Sequence, residues 1–255
     1  MMMIEVAGKK YQIANRYSFI EEYCKEYLIP DTGEYDFSFS VEQKDIDFER
    51  RRSEQEDIAE GIPIRQFSEE YLETLAVYRK IAEKMPFYDT MLFHGSTIAV
   101  NGAGYLFTAR SGTGKSTHVR LWRERFGEKA VMINDDKPLL RIREDGTAIV
   151  YGTPWDGKHR LSSNTSAPLK GICILRRAEE NHIREITKSE AYPMLLQQVY
   201  RPADPEAMKA TLLLLDRLKV KFFCLHCNMD IHAAEVAYRA MAGTDTEEGK
   251  GKEIG

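Results

Sequence analysis

The chain has 255 residues, 43% of them hydrophobic and 30% charged, a composition with enough apolar side chains for a sizeable folded core. A net charge of −4, with no basic block, argues against an electrostatic nucleic-acid surface. No apolar run approaches the length of a membrane span, and the opening MMMIEVAGKKYQI lacks the layout of a signal peptide, so the expected location is the cytoplasm.

Ile4–Ile13 alternates apolar and polar around Gly8, as a hairpin does. Tyr17–Leu28 carries apolar residues at helical spacing and stops at Pro30. Tyr35–Val41 alternates strictly and predicts a half-buried strand. Glu42–Gly61 is charged, with Arg50-Arg51-Arg52 among many acids, and predicts a solvated helix or loop. Ser68–Met85 predicts an amphipathic helix that runs to Pro86. Residues 1–90 thus read as a small α+β layer packed on a core of residues 91–243, and the charged tail 244–255 as disorder.

Met91–Val100 and Tyr105–Thr108 are strand-like runs joined by Asn101-Gly102-Ala103-Gly104, a hairpin signal. The second run leads into Ser111-Gly112-Thr113-Gly114-Lys115-Ser116-Thr117. Such a turn brings several backbone amides, one cation and one hydroxyl to a point, which suits a triphosphate and its Mg²⁺. Feeding the loop strand by a tight hairpin, not by a parallel crossover, predicts an uncommon phosphate-loop architecture. Ala109 stands where GxxxxGK[ST] has its first glycine, and alanine resists positive φ, so the loop must begin differently or right-handed.

Thr117–Phe126 predicts a helix ended by Gly127, and Ala130–Asn134 the next strand, parallel to the first. Asp135 and Asp136 then emerge at the strand edge where ligands of open α/β sheets sit. The expected roles follow. Amides of Gly112 to Thr117 cradle the β-phosphate, Lys115 neutralises β/γ oxygens, and Ser116 offers its hydroxyl to Mg²⁺. The two acids divide between metal ligand and base, with a turn cap as the alternative for Asp135.

Leu139–Ile142 and Ala148–Tyr151 predict a hairpin turning at Glu144-Asp145-Gly146. Segment 152–171 is long, polar and without regular pattern, with a Trp155 of exposed type and a Lys158-His159-Arg160 cluster. It is the default acceptor site, with Trp155, Lys158, His159 and Arg160 facing an anionic or phosphorylatable partner, or else a solvated loop. Arg176 and Arg201 are further cationic candidates. Ile172–Leu175, Ile183–Ile186 and Val220–Cys227 predict strands; Ser189–Tyr200, Pro205–Leu218 and Ile231–Met241 predict helices. Cys24 and Cys173 read as buried thiols, and the Cys224/Cys227 pair lacks the second pair that structural zinc requires.

His94-Gly95 on a strand, the hairpin into the loop, SGTGKS and the strand ending in Asp135-Asp136 together resemble the catalytic domain of HPr kinase/phosphorylase. They also resemble the related nucleotide core of ATP-dependent phosphoenolpyruvate carboxykinase. The resemblance covers about residues 91–176. It implies a mixed, partly antiparallel α/β fold of the HPr-kinase-like P-loop type, with the small α+β layer at its N-terminus and with ATP and Mg²⁺ as ligands. It implies catalytic roles for His94, Lys115 and Asp135, leaving Asp136 beside Ser116 on the metal. On spacing alone, a lone histidine in a strand such as His94 is more often a satisfied structural residue than a functional one. Where HPr kinase carries a Glu-x-x-Gly-type segment, this chain has SAPLKGICIL, without the acid, and it is too short for a carboxykinase's oxaloacetate site. The expectation is a kinase moving the γ-phosphoryl of ATP to a serine-like hydroxyl of a small molecule, peptide or protein. The alternatives are a nucleotide-binding regulator and a phosphorylase running in reverse. No nucleic-acid or membrane partner is expected, and the resemblance is compatible with a homo-oligomer.

Overall fold

The computed structural model describes residues 1–157 and 160–243. Lys158, His159 and the tail 244–255 lie outside the described residues. Strands β1 (Met2–Val6) and β2 (Lys9–Ala14) pair antiparallel across Ala7-Gly8, both at positive φ, the geometry a two-residue hairpin needs to match strand twist. Strand β3 (Phe37–Ser40) joins parallel to β2. Helix α1 (Phe19–Tyr23) is short and passes into a 3₁₀ turn at Lys25–Tyr27.

Helix α2 (Gln43–Glu60) opens with a Glu42/Asp45 capping box and stops at Gly61, φ 68°. The expectation of a solvated segment holds only in part, because Asp45, Glu49 and Asp57 are buried. They are paired: Arg79 reaches Asp45 at 3.2 Å and also Glu49, Lys80 reaches Asp45 at 2.9 Å, and Arg65 reaches Asp57 at 2.6 Å. Apolar periodicity cannot reveal a helix that docks by charge. Helix α3 (Glu69–Lys84) supplies Arg79 and Lys80, and buries Leu72, Ala76, Val77 and Ile81 in the core of this N-terminal layer.

Nine strands of the described chain make one mixed sheet. These are β4 (Thr90–Leu92), β5 (Ser96–Val100), β6 (Ala103–Thr108), β7 (Ala130–Asn134), β8 (Leu139–Ile142), β9 (Ala148–Tyr151), β10 (Ser166–Arg177), β11 (His182–Ile186) and β12 (Lys221–Cys227). The path runs β4-β8-β9-β10-β6-β5-β7, and the sheet forks at β10. Residues 166–168 of β10 pair antiparallel with β9, and residues 171–177 pair parallel with β12, whose other edge takes β11 antiparallel. β6 lies parallel to β10, and β5 is antiparallel to both β6 and β7. β7 therefore runs in the direction of β6, as expected, but with β5 between them.

Alternation along the central strands builds two cores. Leu106, Ile172, Ile174 and Cys224 face helices α5 (Lys188–Gln198) and α6 (Pro205–Arg217). Phe107, Cys173, Phe223 and Leu225 face α4 (Lys115–Phe126) and α7 (His232–Ala242). Cys224 and Cys227 fall into different clusters, on opposite faces of β12, so the CxxC sulfurs do not converge.

Three expectations change. The apolar run Met91–Val100 is two strands, broken at Phe93–Gly95, so His94 lies between strands and not on one. The segment 152–171 is not wholly a loop, because β10 already begins at Ser166. Trp155 is buried, packs on Tyr78 and donates its Nε1–H to the Thr74 carbonyl at 2.9 Å. It is a pillar between the two layers, not an exposed acceptor contact. Among the described residues, no helix is long and apolar enough to cross a membrane.

Candidate active site

The parallel strands β6, β7 and β10 deliver three segments to one edge of the sheet: the loop 109–114, the Asp135-Asp136 pair and Arg177. Thr108 closes β6 and donates its Oγ1–H to the His94 carbonyl at 3.0 Å. Ala109 is fully buried and is not among the positive-φ residues, whereas Gly112 (φ 74°) and Gly114 (φ 121°) are. The loop therefore begins at Ala109 without a positive φ, as alanine requires, and takes up its left-handed turns only at the glycines.

Gly114 occupies the N-cap position of α4, and no side chain caps that end. The first-turn amides at Lys115, Ser116 and Thr117 have no intrahelical acceptor, and the helix dipole favours an anion in front of them. Lys115 extends back to the Ala109 carbonyl at 3.4 Å. Burial lowers its pKa, Asp136 opposes that shift, and Lys137 adds to it. Arg177 donates to the carbonyls of Gly112 and Thr113, the latter at 3.2 Å, and so pins the loop from the end of β10. Arg176, not Arg177, is the candidate from sequence, since only the parallel register of β6 and β10 puts residue 177 beside the loop.

Past β7, Asn134 organises the acid pair. Its Oδ1 accepts from the amides of Asp136 (2.9 Å) and Lys137 (2.5 Å), and its Nδ2 donates to Thr153 Oγ1 and to the Thr153 and Trp155 carbonyls. The two aspartates then part company. Asp136 Oδ1 lies 3.1 Å from His94 Nε2, and Oδ2 lies 3.4 Å from Lys137 Nζ. Burial raises the Asp136 pKa, but the His94 hydrogen bond and Lys137 outweigh it and hold the carboxyl at about 2. The Gly95 amide donates to the Asp136 carbonyl (3.0 Å) and the His94 amide to the Gln198 carbonyl (2.8 Å), which fixes this pairing from the backbone.

Asp135 turns the other way. It is buried, accepts from the Gly157 amide, and lines a cleft of about 400 Å³ with Ser116, Thr117, Arg120, Arg123 and Leu161. A Cβ on residue 157 would stand 2.6 Å from Oδ2 and 2.7 Å from Oδ1, so any larger residue there would force the Asp135 carboxylate or the backbone to shift. The expected grouping was Asp135 with His94 and Asp136 with Ser116. The geometry groups them the opposite way. Among the described residues, no group of three or more His, Cys, Asp or Glu is placed to hold a metal. A Mg²⁺ at Ser116 and Asp135 would therefore complete its shell with phosphate and water oxygens, as this ion ordinarily does.

A second cleft, of about 660 Å³, flanks the loop on the side of Arg110, Arg176, Arg177 and His226. Of the expected acceptor residues, Arg160 is exposed at φ 48°, with its guanidinium 4.1 Å over the Tyr23 ring.

The site and fold define an α/β protein with a glycine-rich loop and an acid pair at the carboxyl edge of a mixed sheet. The sequence profile of the family described as SynChlorMet cassette protein ScmC matches residues 63–203, and the chain belongs to that family. No curated protein matches the chain. Among solved structures, it is similar to the HPr(Ser) kinase/phosphatase from Coxiella burnetii, with a TM-score of 0.36 and 12% identity, over 60% of this chain and 98% of that one. The sequence-level family is thus ScmC, and the functional reading rests on the site itself.

Proposed function

We propose that the protein binds Mg-ATP at the loop 109–117 and transfers the γ-phosphoryl group to a hydroxyl of a small-molecule, peptide or protein acceptor. The observation that carries this reading is the 3.1 Å His94–Asp136 pair standing at the same sheet edge as Lys115 and the uncapped helix. A site that only binds or switches needs the loop but no proton acceptor. In this reading the amides of Gly112 to Thr117 and the Lys115 ammonium hold phosphate oxygens, and Ser116 with Asp135 holds the magnesium. That ion supplies charge neutralisation on the β and γ oxygens. His94 takes the proton of the acceptor hydroxyl as its oxygen bonds to phosphorus and the bond to the β-phosphate oxygen breaks, leaving ADP. Asp136, ionised at neutral pH, orients the imidazole and stabilises the imidazolium that forms.

Two variants test this assignment. Lys115→Met is expected to weaken Mg-ATP binding about tenfold or more, read by calorimetry, because a charge-assisted phosphate contact is lost. Asp136→Asn is expected to keep nucleotide affinity and slow transfer of labelled γ-phosphoryl to acceptors in an extract by about 10²–10⁴. Full transfer by Asp136→Asn would remove the histidine–aspartate pair from the mechanism. An extract in which ATP binds and nothing is labelled would leave a nucleotide-binding regulator as the better reading.

A further inference from the structure

A cleft of about 400 Å³ opens between α1 with its following 3₁₀ turn and Thr153, Pro154, Asp156, Arg160 and Ser162. Three of the described residues that line it carry a buried side-chain oxygen without a hydrogen-bond partner: Tyr27 Oη, Asp156 Oδ1 and Ser162 Oγ. Tyr27 is 4% exposed and the Asp156 side chain 4%, so neither can turn to bulk water. Buried polar atoms are ordinarily paired, and leaving a carboxylate oxygen unpaired is costly, so three such atoms around one cleft point to an occupant.

The chemistry of the occupant follows from what the oxygens can do. All three accept hydrogen bonds, and an ionised carboxylate can only accept. Among the described residues, the cleft is lined by three carboxylates, Glu22, Glu26 and Asp156, against two cations, Lys25 and Arg160. Arg160 already behaves as a stand-in. Its guanidinium lies 4.1 Å over the Tyr23 ring, but its Nε stays 3.7 Å from Asp156 Oδ1, well beyond a charge-assisted bond. Its backbone is held at φ 48°, which a non-glycine residue adopts at a cost. A guanidinium in this cleft therefore fits the aromatic face but leaves the oxygens unserved. An ammonium carries three donors on a single nitrogen.

We propose that this cleft binds a primary ammonium group, either a peptide amino terminus or a lysine-type side chain, by displacing Arg160. Asp156 precedes Gly157, whose amide is on Asp135, so the cleft adjoins the cleft shared by Asp135 and Ser116. The bound amine is then the handle of the hydroxyl acceptor, a step that rests on the phosphotransfer reading; the amine site itself does not.

The test is calorimetric titration of the nucleotide-free full chain with three probes: Ser-Gly amide with a free amino terminus, N-acetyl-Lys-Ser amide, and the same peptide with its lysine acetylated. One of the two amine probes is expected to bind at least about tenfold more tightly than the neutral control, and which one does so separates terminus from side chain. Asp156→Asn should bring that affinity down to the control. Tyr27→Phe, which removes an unpartnered hydroxyl and so leaves the fold at least as stable, should weaken it several-fold, and Arg160→Met should strengthen it. Equal or absent binding of all three probes by folded, ATP-binding wild-type protein overturns the proposal, as does wild-type affinity in Asp156→Asn. Amine binding without phosphoryl transfer would support the cleft and count against the kinase reading alone.

Discussion

Single atoms decide matters at two residues, one beside the acid pair and one inside α4. Gly157 donates its amide to Asp135 from a position where any Cβ would collide with the carboxylate. Gly157→Ala is expected to cost about 1–3 kcal/mol in urea denaturation and to weaken the divalent-ion dependence of ATP binding, because either Asp135 or the 153–157 segment must move. His118 is buried in α4, accepts from Trp122 Nε1 at 3.0 Å, and is held by burial at about 3, far below the ordinary 6.5. It is neutral in the fold, while the unfolded ring takes a proton below about 6.5. Stability should therefore be complete above that pH and fall as pH drops toward 3; His118→Gln should flatten this window in pH-dependent thermal melts. Asp136, held at about 2 against an ordinary 3.8, adds a lower window, with its contribution lost as pH falls through 2. Of this scale, the residue types of the loop and acid pair were readable in the sequence. Which aspartate meets His94 was not, since adjacent residues after a strand turn to different sides and only the fixed β5–β7 register chooses between them.

At the scale of elements, helices with apolar stripes and alternating strands were readable, and those that dock by other means were not. Helix α2 buries Asp45 and Glu49 against Arg79 of α3, a contact invisible to hydrophobic periodicity. Arg79→Met should cost about 3–5 kcal/mol by chemical denaturation, because it takes the close cationic partner from the buried Glu49 and leaves Asp45 with Lys80 alone; a change below about 1 kcal/mol would mean that water reaches Glu49. Strand β10 was half readable. Its apolar stretch Ile172–Leu175 marks the central, doubly paired part. Its first residues, Ser166 to Pro168, alternate exposed and buried, and become a strand only because the edge of β9 offers them partners.

Across the whole molecule, Trp155 ties the two layers. It sits in the cluster that also contains Ile81 and Val77 of α3 and Leu139 of the main sheet. Trp155→Ala should cost about 3–5 kcal/mol, and the wild type should unfold in one transition seen equally by probes in residues 1–90 and in the sheet. Two separate transitions would show that the layers fold apart. The sequence by itself determined the glycine-rich turn, its lysine and hydroxyl, the acid pair one helix later and most of the elements, because these are local: a few residues, fixed spacings, one period of apolar side chains. The tertiary structure decided what needs two distant segments at once. It matched His94 to Asp136, set Asp135 beside Ser116, forked the sheet at β10, and buried Trp155 under α3. It also left three buried oxygens without hydrogen-bond partners on residues that line a cleft beside α1. Each of these depends on strand register or layer packing, which sequence spacing does not encode.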